Sequence, residues 1–183
     1  MVENAQENKN AGDPSADVLQ GAHRYKEKRR VPVIIADDSS TSRKQIVKSL
    51  RNADTRVVTF EASDGRESLD KLTELRENYG ADPALIILDL NMPKMDGWQV
   101  MKWLKWEYKK FGKKTGIPLA VFSSTNGKKR THFFKKDIHN IRYEPLVAVA
   151  KEECTETGLF DTKGAGGLES WIRYFLDAPV QQW

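Results

Sequence analysis

Three carboxylates that each follow a continuous apolar run are the feature that most constrains the fold of this chain. The run VPVIIA leads into Asp37 and Asp38, and the run ALIIL leads into Asp89. A short apolar run bounded by turn residues is typical of a strand buried on both faces, as in a parallel sheet covered by helices. Ligands of such sheets bind beyond the carboxyl ends of the strands. We therefore expect Asp37, Asp38 and Asp89 to converge at one edge of the sheet.

This convergence would bring three negative charges together, and their repulsion calls for a compensating cation. A hard divalent cation with oxygen ligands suits such a set, and Mg²⁺ is the usual ion of phosphate chemistry. Capping of the first helix would also favour negative charge after the first strand, but it accounts for one carboxylate at most. The residues therefore predict a magnesium-dependent phosphoryl site.

Strand and helix patterns alternate along the chain from residue 31. This alternation indicates βαβ units, and hence an α/β fold with a parallel sheet and right-handed crossovers. Apolar runs predict strands over residues 31–38, 56–62, 84–89 and 117–124, with a weaker fifth strand over residues 158–163. Apolar spacing predicts helices over residues 39–52, 67–79, 98–111 and 168–176, and also over the stretch LVAVAKEE at residues 146–153.

The composition is that of one domain with appendages. The chain has 183 residues, 39% of them hydrophobic and 31% charged, which is long enough to bury a core. No apolar stretch has the length of a membrane helix, the N-terminus lacks the apolar core of a secretory signal, and Cys154 has no second cysteine to pair with. A cytoplasmic location with no membrane partner is expected.

The net charge of +4 is unevenly distributed. Residues 1–30 are expected to form a mobile tail, since they are polar and begin with an acidic stretch. Residues 125–142 are basic and contain Phe133 and Phe134 side by side. Such a segment could bind nucleic acid, dock an acidic partner or extend the fourth helix, and partner docking is favoured. Trp103 and Trp106 lie off the core stripe of their helix and could anchor an interface, or pack beneath this segment.

Four segments carry a resemblance to a known family. VIIADDSSTSRKQIVKSL, FEASDGRESLDKL, LIILDLNMPKMDGWQVM and IPLAVFSS occur in this order, each on the expected element. They resemble the response-regulator receiver domain of two-component signalling, and especially the chemotaxis response regulator. The resemblance covers residues 31–178, with residues 125–142 as an extension between the fourth strand and fourth helix and residues 179–183 as a tail. It implies a flavodoxin-like, doubly wound sheet of five parallel strands in the order 2-1-3-4-5.

The resemblance also implies roles for the carboxylates and their neighbours. Asp89 would be the phosphoacceptor, a carboxylate nucleophile that forms an aspartyl-phosphate. Asp38 would bind Mg²⁺ directly, Asp37 would help through water, and Asn91 would offer its backbone carbonyl. Ser123 would supply the hydroxyl that bonds the phosphoryl group.

The phosphate-pairing lysine and the switch aromatic are expected on the fifth strand. Lys163 ends the predicted fifth strand, although Gly164 follows it where the family usually has proline. Lys151 is the competitor, and Lys163 is preferred because Lys151 lies in a stretch with helical spacing. In the family an aromatic of the fifth strand turns inward as the hydroxyl of the fourth strand moves, which matches Phe160 and Ser123.

The resemblance implies a stand-alone signalling protein that is not an enzyme. Its phosphoryl donor would be a histidine kinase or a histidine phosphotransfer protein. The output would go to an unknown downstream protein, by onward phosphotransfer as a phosphorelay intermediate, or through a homodimer that Trp171 and Phe175 could support. The alternative is a receiver scaffold that binds nucleic acid through residues 125–142, which is disfavoured. A phosphatase of the haloacid type is also disfavoured, because Asn91 stands where that class needs a second carboxylate.

Overall fold

The computed structural model describes residues 30–124, 136–137, 140–144 and 146–151. One parallel sheet runs through this part of the chain in the order β2-β1-β3-β4-β5. This order confirms the doubly wound α/β fold that the resemblance implied. The strands are β1 (Val31–Ala36), β2 (Val57–Ala62), β3 (Leu85–Leu88), β4 (Leu119–Ser123) and β5 (Leu146–Ala150). The described helices are α1 (Ser40–Ala53), α2 (Gly65–Tyr79) and α3 (Gly97–Lys110).

The sheet buries apolar side chains on both faces. On one face Ile46 and Leu50 of α1 pack with Val33 and Ile35 of β1 and with Phe122 of β4. The leucines and other apolar residues of α2 and α3 pack against the opposite face. Every residue of β3 and β4 is buried, which explains why these strands have no polar alternation in the sequence.

Polar side chains before each helix fix where the helices begin. Ser39, Asp64 and Asp96 accept hydrogen bonds from backbone N–H groups of the first turns of α1, α2 and α3. At α2 the Glu67 carboxylate adds a second capping contact, because it accepts from the backbone N–H and the hydroxyl of Ser63. These caps begin α1 and α2 shortly after the preceding strand, whereas an eight-residue loop separates β3 from α3.

The fifth strand is Leu146–Ala150, so the helix predicted over this stretch is wrong. The run LVAVA pairs in parallel with β4, from Leu119 opposite Leu146 to Ser123 opposite Ala150. A five-residue apolar run is too short for its spacing to separate helix from strand. The β-branched Val147 and Val149 favour a strand once β4 offers its edge for pairing.

Several predictions fall on residues outside the described part of the chain. They concern the strand over residues 158–163 with Phe160 and Lys163, the last helix over residues 168–176, both tails, and most of the basic segment 125–142. None of the helices in the described ranges is long and apolar enough to cross a membrane.

Candidate functional site

The carboxyl ends of four neighbouring strands deliver polar side chains to one edge of the sheet. Asp37 follows β1 and Asp89 follows β3, while Ser123 ends β4 and Lys151 follows β5. The register sets Ala36 opposite Leu88, so the two aspartates leave the sheet at the same level. The parallel register thus turns residues that are far apart in the sequence into one cluster.

Asp37, Asp38 and Asp89 form the acidic cluster that the sequence predicted. Their carboxylate oxygens lie within 4.8 Å of one another. Asp37 and Asp89 are 1% and 6% exposed, whereas Asp38 is exposed. Oxygen ligands at this spacing, two of them buried and one open to solvent, fit a hard divalent cation. The cluster is therefore a candidate cation site.

Asp89 is held through both of its carboxylate oxygens. Its Oδ1 accepts from the Ser123 hydroxyl at 2.5 Å and from the backbone N–H of Asn91 at 3.1 Å. Its Oδ2 accepts from the Lys151 ammonium at 2.6 Å. Ser123 is fully buried, and its oxygen also accepts from the backbone N–H of Leu90 at 3.4 Å. These contacts orient the carboxylate towards the edge of the sheet.

Lys151 bridges the two buried aspartates. Its Nζ lies 2.8 Å from Asp37 Oδ2 and 2.6 Å from Asp89 Oδ2. Burial alone would lower the pKa of the Lys151 ammonium, but the hydrogen bonds to Asp37 and Asp89 outweigh it, and the pKa lies above its usual value. Lys151 is therefore a firmly charged counter-ion within the cluster.

The preference for Lys163 over Lys151 is corrected by this geometry. Lys151 stands at the end of the strand next to β4, which is the position that the sequence reading gave to Lys163. β5 has the sequence LVAVA and contains no aromatic residue, and Phe160, which lies outside the described residues, stays a prediction. The preference for Lys163 followed from the assignment of the fifth strand to residues 158–163.

The carboxylate of Asp37 accepts hydrogen bonds from three donors in addition to its place in the acidic cluster. Its Oδ1 accepts from the backbone N–H of Ser39 at 2.9 Å, and its Oδ2 accepts from the Ser42 hydroxyl at 2.6 Å as well as from Lys151. The Arg43 guanidinium donates to the backbone carbonyl of Asp37 at 2.7 Å. Sequence reasoning missed Ser42 and Arg43. The available signal was their position in the first turn of α1, which begins three residues after Asp37.

The loop after Asp89 is packed closely against the start of α2. Lys94, which has a positive φ of 60°, pairs with the buried Asp64 at 2.6 Å. A Cβ on Gly97 would lie 2.2 Å from the Asp89 carbonyl oxygen, so only glycine fits there. The sequence reading assigned no partner to Asp64 or Lys94. Their contact steadies the loop that carries Asn91.

Comparisons with known proteins agree with this architecture. A family model described as the response regulator receiver domain matches residues 33–139. The protein-glutamate methylesterase/protein-glutamine glutaminase 6 of Anaeromyxobacter dehalogenans (strain 2CP-C) is 32% identical over 108 residues, which are 59% of this chain and 27% of that protein. This chain thus spans about a quarter of the length of that relative.

Solved structures of response regulators share the fold. The Mn(2+)-bound form of response regulator Rcp1 has a TM-score of 0.54 at 18% identity, over 82% of this chain and 97% of that chain. The phosphorylated cyanobacterial phytochrome response regulator RcpA has a TM-score of 0.56 at 20% identity, over 83% of this chain and 97% of that chain. With the family model matched across residues 33–139, the chain belongs to the response regulator receiver domain family, whose members accept a phosphoryl group on an aspartate in two-component signalling.

Proposed function

We propose that this protein accepts a phosphoryl group on Asp89 and that Asp37 and Asp38 complete a Mg²⁺ site beside it. The observation that carries the proposal is the position of Asp89 between the Ser123 hydroxyl and the Lys151 ammonium, with two further carboxylates within 4.8 Å. Any buried carboxylate needs donors, but three clustered carboxylates with one ammonium leave an excess of negative charge. A site that binds Mg²⁺ and takes up a phosphoryl group accounts for this excess.

The Mg²⁺ ligands would be carboxylate oxygens of Asp38 and Asp89, with the backbone carbonyl of Asn91. Asp37, whose oxygens also accept from three donors, would act through water, as the resemblance to the receiver family implies. Bound Mg²⁺ supplies charge neutralisation for the carboxylates and the transferring group. The Rcp1 structure is a Mn(2+)-bound form, which supports a divalent cation in a protein of this fold.

The residues of the chain account for the remaining steps of the transfer. A carboxylate oxygen of Asp89 attacks phosphorus as the bond from phosphorus to the donor breaks, and the donor leaves with the electron pair. Lys151, which contacts Asp89 Oδ2, is within reach of an oxygen on the group added there and would balance its charge. The Ser123 hydroxyl would turn from Asp89 Oδ1 to donate to a phosphoryl oxygen. The aspartyl-phosphate is therefore held by one cation and one hydroxyl of the protein.

The donor would be a histidine kinase or a histidine phosphotransfer protein, as for the receiver family in general. We further propose that the protein passes its signal on by protein–protein contact and does not turn over a separate substrate. A cytoplasmic location, a homodimer and the domain boundaries at residues 30 and 178 stay predictions from the sequence.

Acetyl phosphate labelling in the presence of Mg²⁺ tests the proposal. The parent protein should become phosphorylated, as read by phosphate-affinity electrophoresis and by a mass increase that hydroxylamine removes. Asp89→Asn should abolish the label, whereas Asp70→Asn, a matched change of an exposed aspartate on α2, should keep it. Chelation of the metal should also prevent labelling. Label on the Asp89→Asn protein equal to that on the parent would refute the assignment.

A further inference from the structure

The exposed side of α3 carries aromatic and basic side chains that the phosphoryl site does not use. Lys102, Trp106, Lys109 and Lys110 share this side of the helix, and Phe111 follows directly at its end. We call these five residues the Trp106 patch. Trp106 is 55% exposed and Phe111 is 66% exposed, and they are the two large hydrophobic residues that the described part of the chain leaves open to solvent. The buried stripe of α3 lies elsewhere on the helix, so core packing does not explain them.

The positive charge of the Trp106 patch is uncompensated within the described residues. Among these residues no carboxylate pairs with Lys102, Lys109 or Lys110. Glu107 is the acidic residue in this half of α3, and it forms a bidentate contact with Arg76 instead. A surface that joins exposed rings to ammonium groups without a carboxylate partner among the described residues is complementary to an anionic partner that also carries apolar groups.

The ring geometry argues for a polypeptide partner over a nucleic acid. The Lys110 ammonium stands 4.8 Å from the centre of the Trp106 ring and 6.0 Å from the centre of the Phe111 ring. Trp103 lies beside Trp106 with the ring centres 6.5 Å apart and the planes tilted by 48°. The Lys110 ammonium over the Trp106 ring and the tilted Trp103 indole beside it leave less room for a stacked base. The exposed surface of Trp106 suits contact with aliphatic side chains of a partner, whose carboxylates would pair with the lysines.

The Trp106 patch is also remote from Asp89. Trp106 lies nine residues beyond Gly97, the first residue of α3, which corresponds to about 14 Å along the helix axis. Because α3 runs back across the sheet between two parallel strands, its last turn lies near the amino end of β4. A partner bound there would leave the carboxyl edge of the sheet free for a phosphoryl donor.

We propose that the Trp106 patch docks an acidic polypeptide segment with apolar side chains, and that it does so in both phosphorylation states. The carboxylates of the segment pair with Lys102, Lys109 and Lys110, and its apolar side chains cover Trp106 and Phe111. This surface goes beyond the chemistry at Asp89, and it needs neither the metal nor the aspartyl-phosphate.

Binding of a fluorescein-labelled amphipathic peptide of glutamate and leucine to the full chain tests this docking surface. Fluorescence anisotropy should show saturable binding, and the indole NMR signal of Trp106 should shift. Lys110→Glu and Trp106→Ala should each weaken binding by about tenfold. Lys48→Glu, the same charge change at an exposed position on α1, should leave it unchanged. Thermal unfolding of each variant separates a lost contact from a lost fold, and Phe111→Ser is the second variant if Trp106→Ala unfolds.

Three further arms identify other occupants and test independence from phosphorylation. Preferential binding of an oligothymidylate, of vesicles with anionic lipids, or of a second copy of the chain would overturn the polypeptide assignment. Beryllofluoride with Mg²⁺ should leave the affinity for the peptide unchanged in the parent and in the Asp89→Asn protein. A change in the parent alone would overturn the independence. Failure of Asp89 to accept a phosphoryl group would leave the peptide result standing, so the two proposals fail separately.

Discussion

Two clusters of charged side chains lie at opposite ends of the sheet, and only one of them is balanced. At the amino end, Arg76 contacts Glu107 with both guanidinium NH₂ groups at 2.7 and 2.8 Å and also reaches Asp82, which Lys113 contacts in turn. Two cations there face two carboxylates. At the carboxyl end there are three clustered carboxylates, and within the described residues Lys151 is the one ammonium that contacts them, through Asp37 and Asp89.

The difference separates a structural cluster from a functional one. A balanced set of ion pairs needs nothing more, and its contacts join the last turns of α2 and α3. An acidic set with one lysine keeps an excess of negative charge that favours a further cation. The imbalance therefore costs stability at the same place where we propose that the metal binds. Each of the following substitutions changes one of these two clusters or serves as its control.

Lys151→Met should have the largest effect, since it removes the counter-ion of Asp37 and Asp89. We expect the free energy of unfolding without metal to fall by about 2–3 kcal/mol, because two buried carboxylates are left facing each other. Mg²⁺ should restore part of this loss. The measurement is urea denaturation of the parent and the variant with and without the metal.

Lys163→Met is the matched control for this prediction. It removes the lysine that the sequence alone favoured, and we expect little change in the free energy of unfolding. A larger loss for Lys163→Met than for Lys151→Met would contradict the assignment of the lysine.

Arg76→Met should be next, because it leaves Glu107 and Asp82 without their shared partner. The expected loss in the free energy of unfolding is about 1–2 kcal/mol, and Mg²⁺ should not change it. Arg66→Met is the control, since Arg66 and Asp70 form an exposed pair on α2 and should contribute almost nothing. Equal losses in the two variants would show that the network at the amino end is not a stabilising cluster.

Asp38→Asn should act in the opposite direction to the other substitutions. Removal of the exposed carboxylate relieves repulsion, so the free energy of unfolding without metal should rise by about 0.5–1 kcal/mol. The increase in melting temperature that Mg²⁺ causes in the parent should disappear. Differential scanning calorimetry at two metal concentrations measures both effects. A variant that is destabilised without metal and still stabilised by it would contradict an excess of negative charge at this edge.

The smallest expected effect is on how the free energy of unfolding declines at acidic pH. Burial alone would raise the pKa of Asp82, but its ion pairs with Arg76 and Lys113 outweigh it, and the pKa lies below its usual value. A lowered pKa in the folded protein means that the stabilisation is complete above about pH 4 and is lost as the pH falls through the folded pKa. Asp82→Asn should therefore flatten the decline of stability from pH 5 to pH 3, as measured by urea denaturation at each pH. Parallel pH profiles of parent and variant would argue against the ion pairs.

Much of the fold could be predicted because the strands are buried on both faces. The runs VIIA and LIIL have no polar residue to interrupt them, so their identity as strands and the positions of Asp37 and Asp89 follow from the pattern. The stretch LVAVA is equally apolar, but its five residues fit a helix face as well as a strand. Pairing with β4 decides between them, and that pairing joins residues far apart in the chain.

Contacts between residues far apart in the sequence could not be predicted for the same reason. Arg76 and Glu107 are 31 residues apart, and nothing local to either one identifies the other. The hydroxyl of Ser42 is five residues from Asp37, but its role depends on how α1 leaves the first strand.

The amino-acid sequence by itself determined the three carboxylates and the strands that end at them, and the family resemblance added the hydroxyl of Ser123. The carboxylates follow from local order, because they come directly after the ends of apolar runs. The tertiary structure alone decided which lysine reaches Asp89, because that depends on which segment occupies the edge of β4. Strand pairing is set by burial and hydrogen bonding across the whole sheet, and its result is the contact between Lys151 and two buried aspartates.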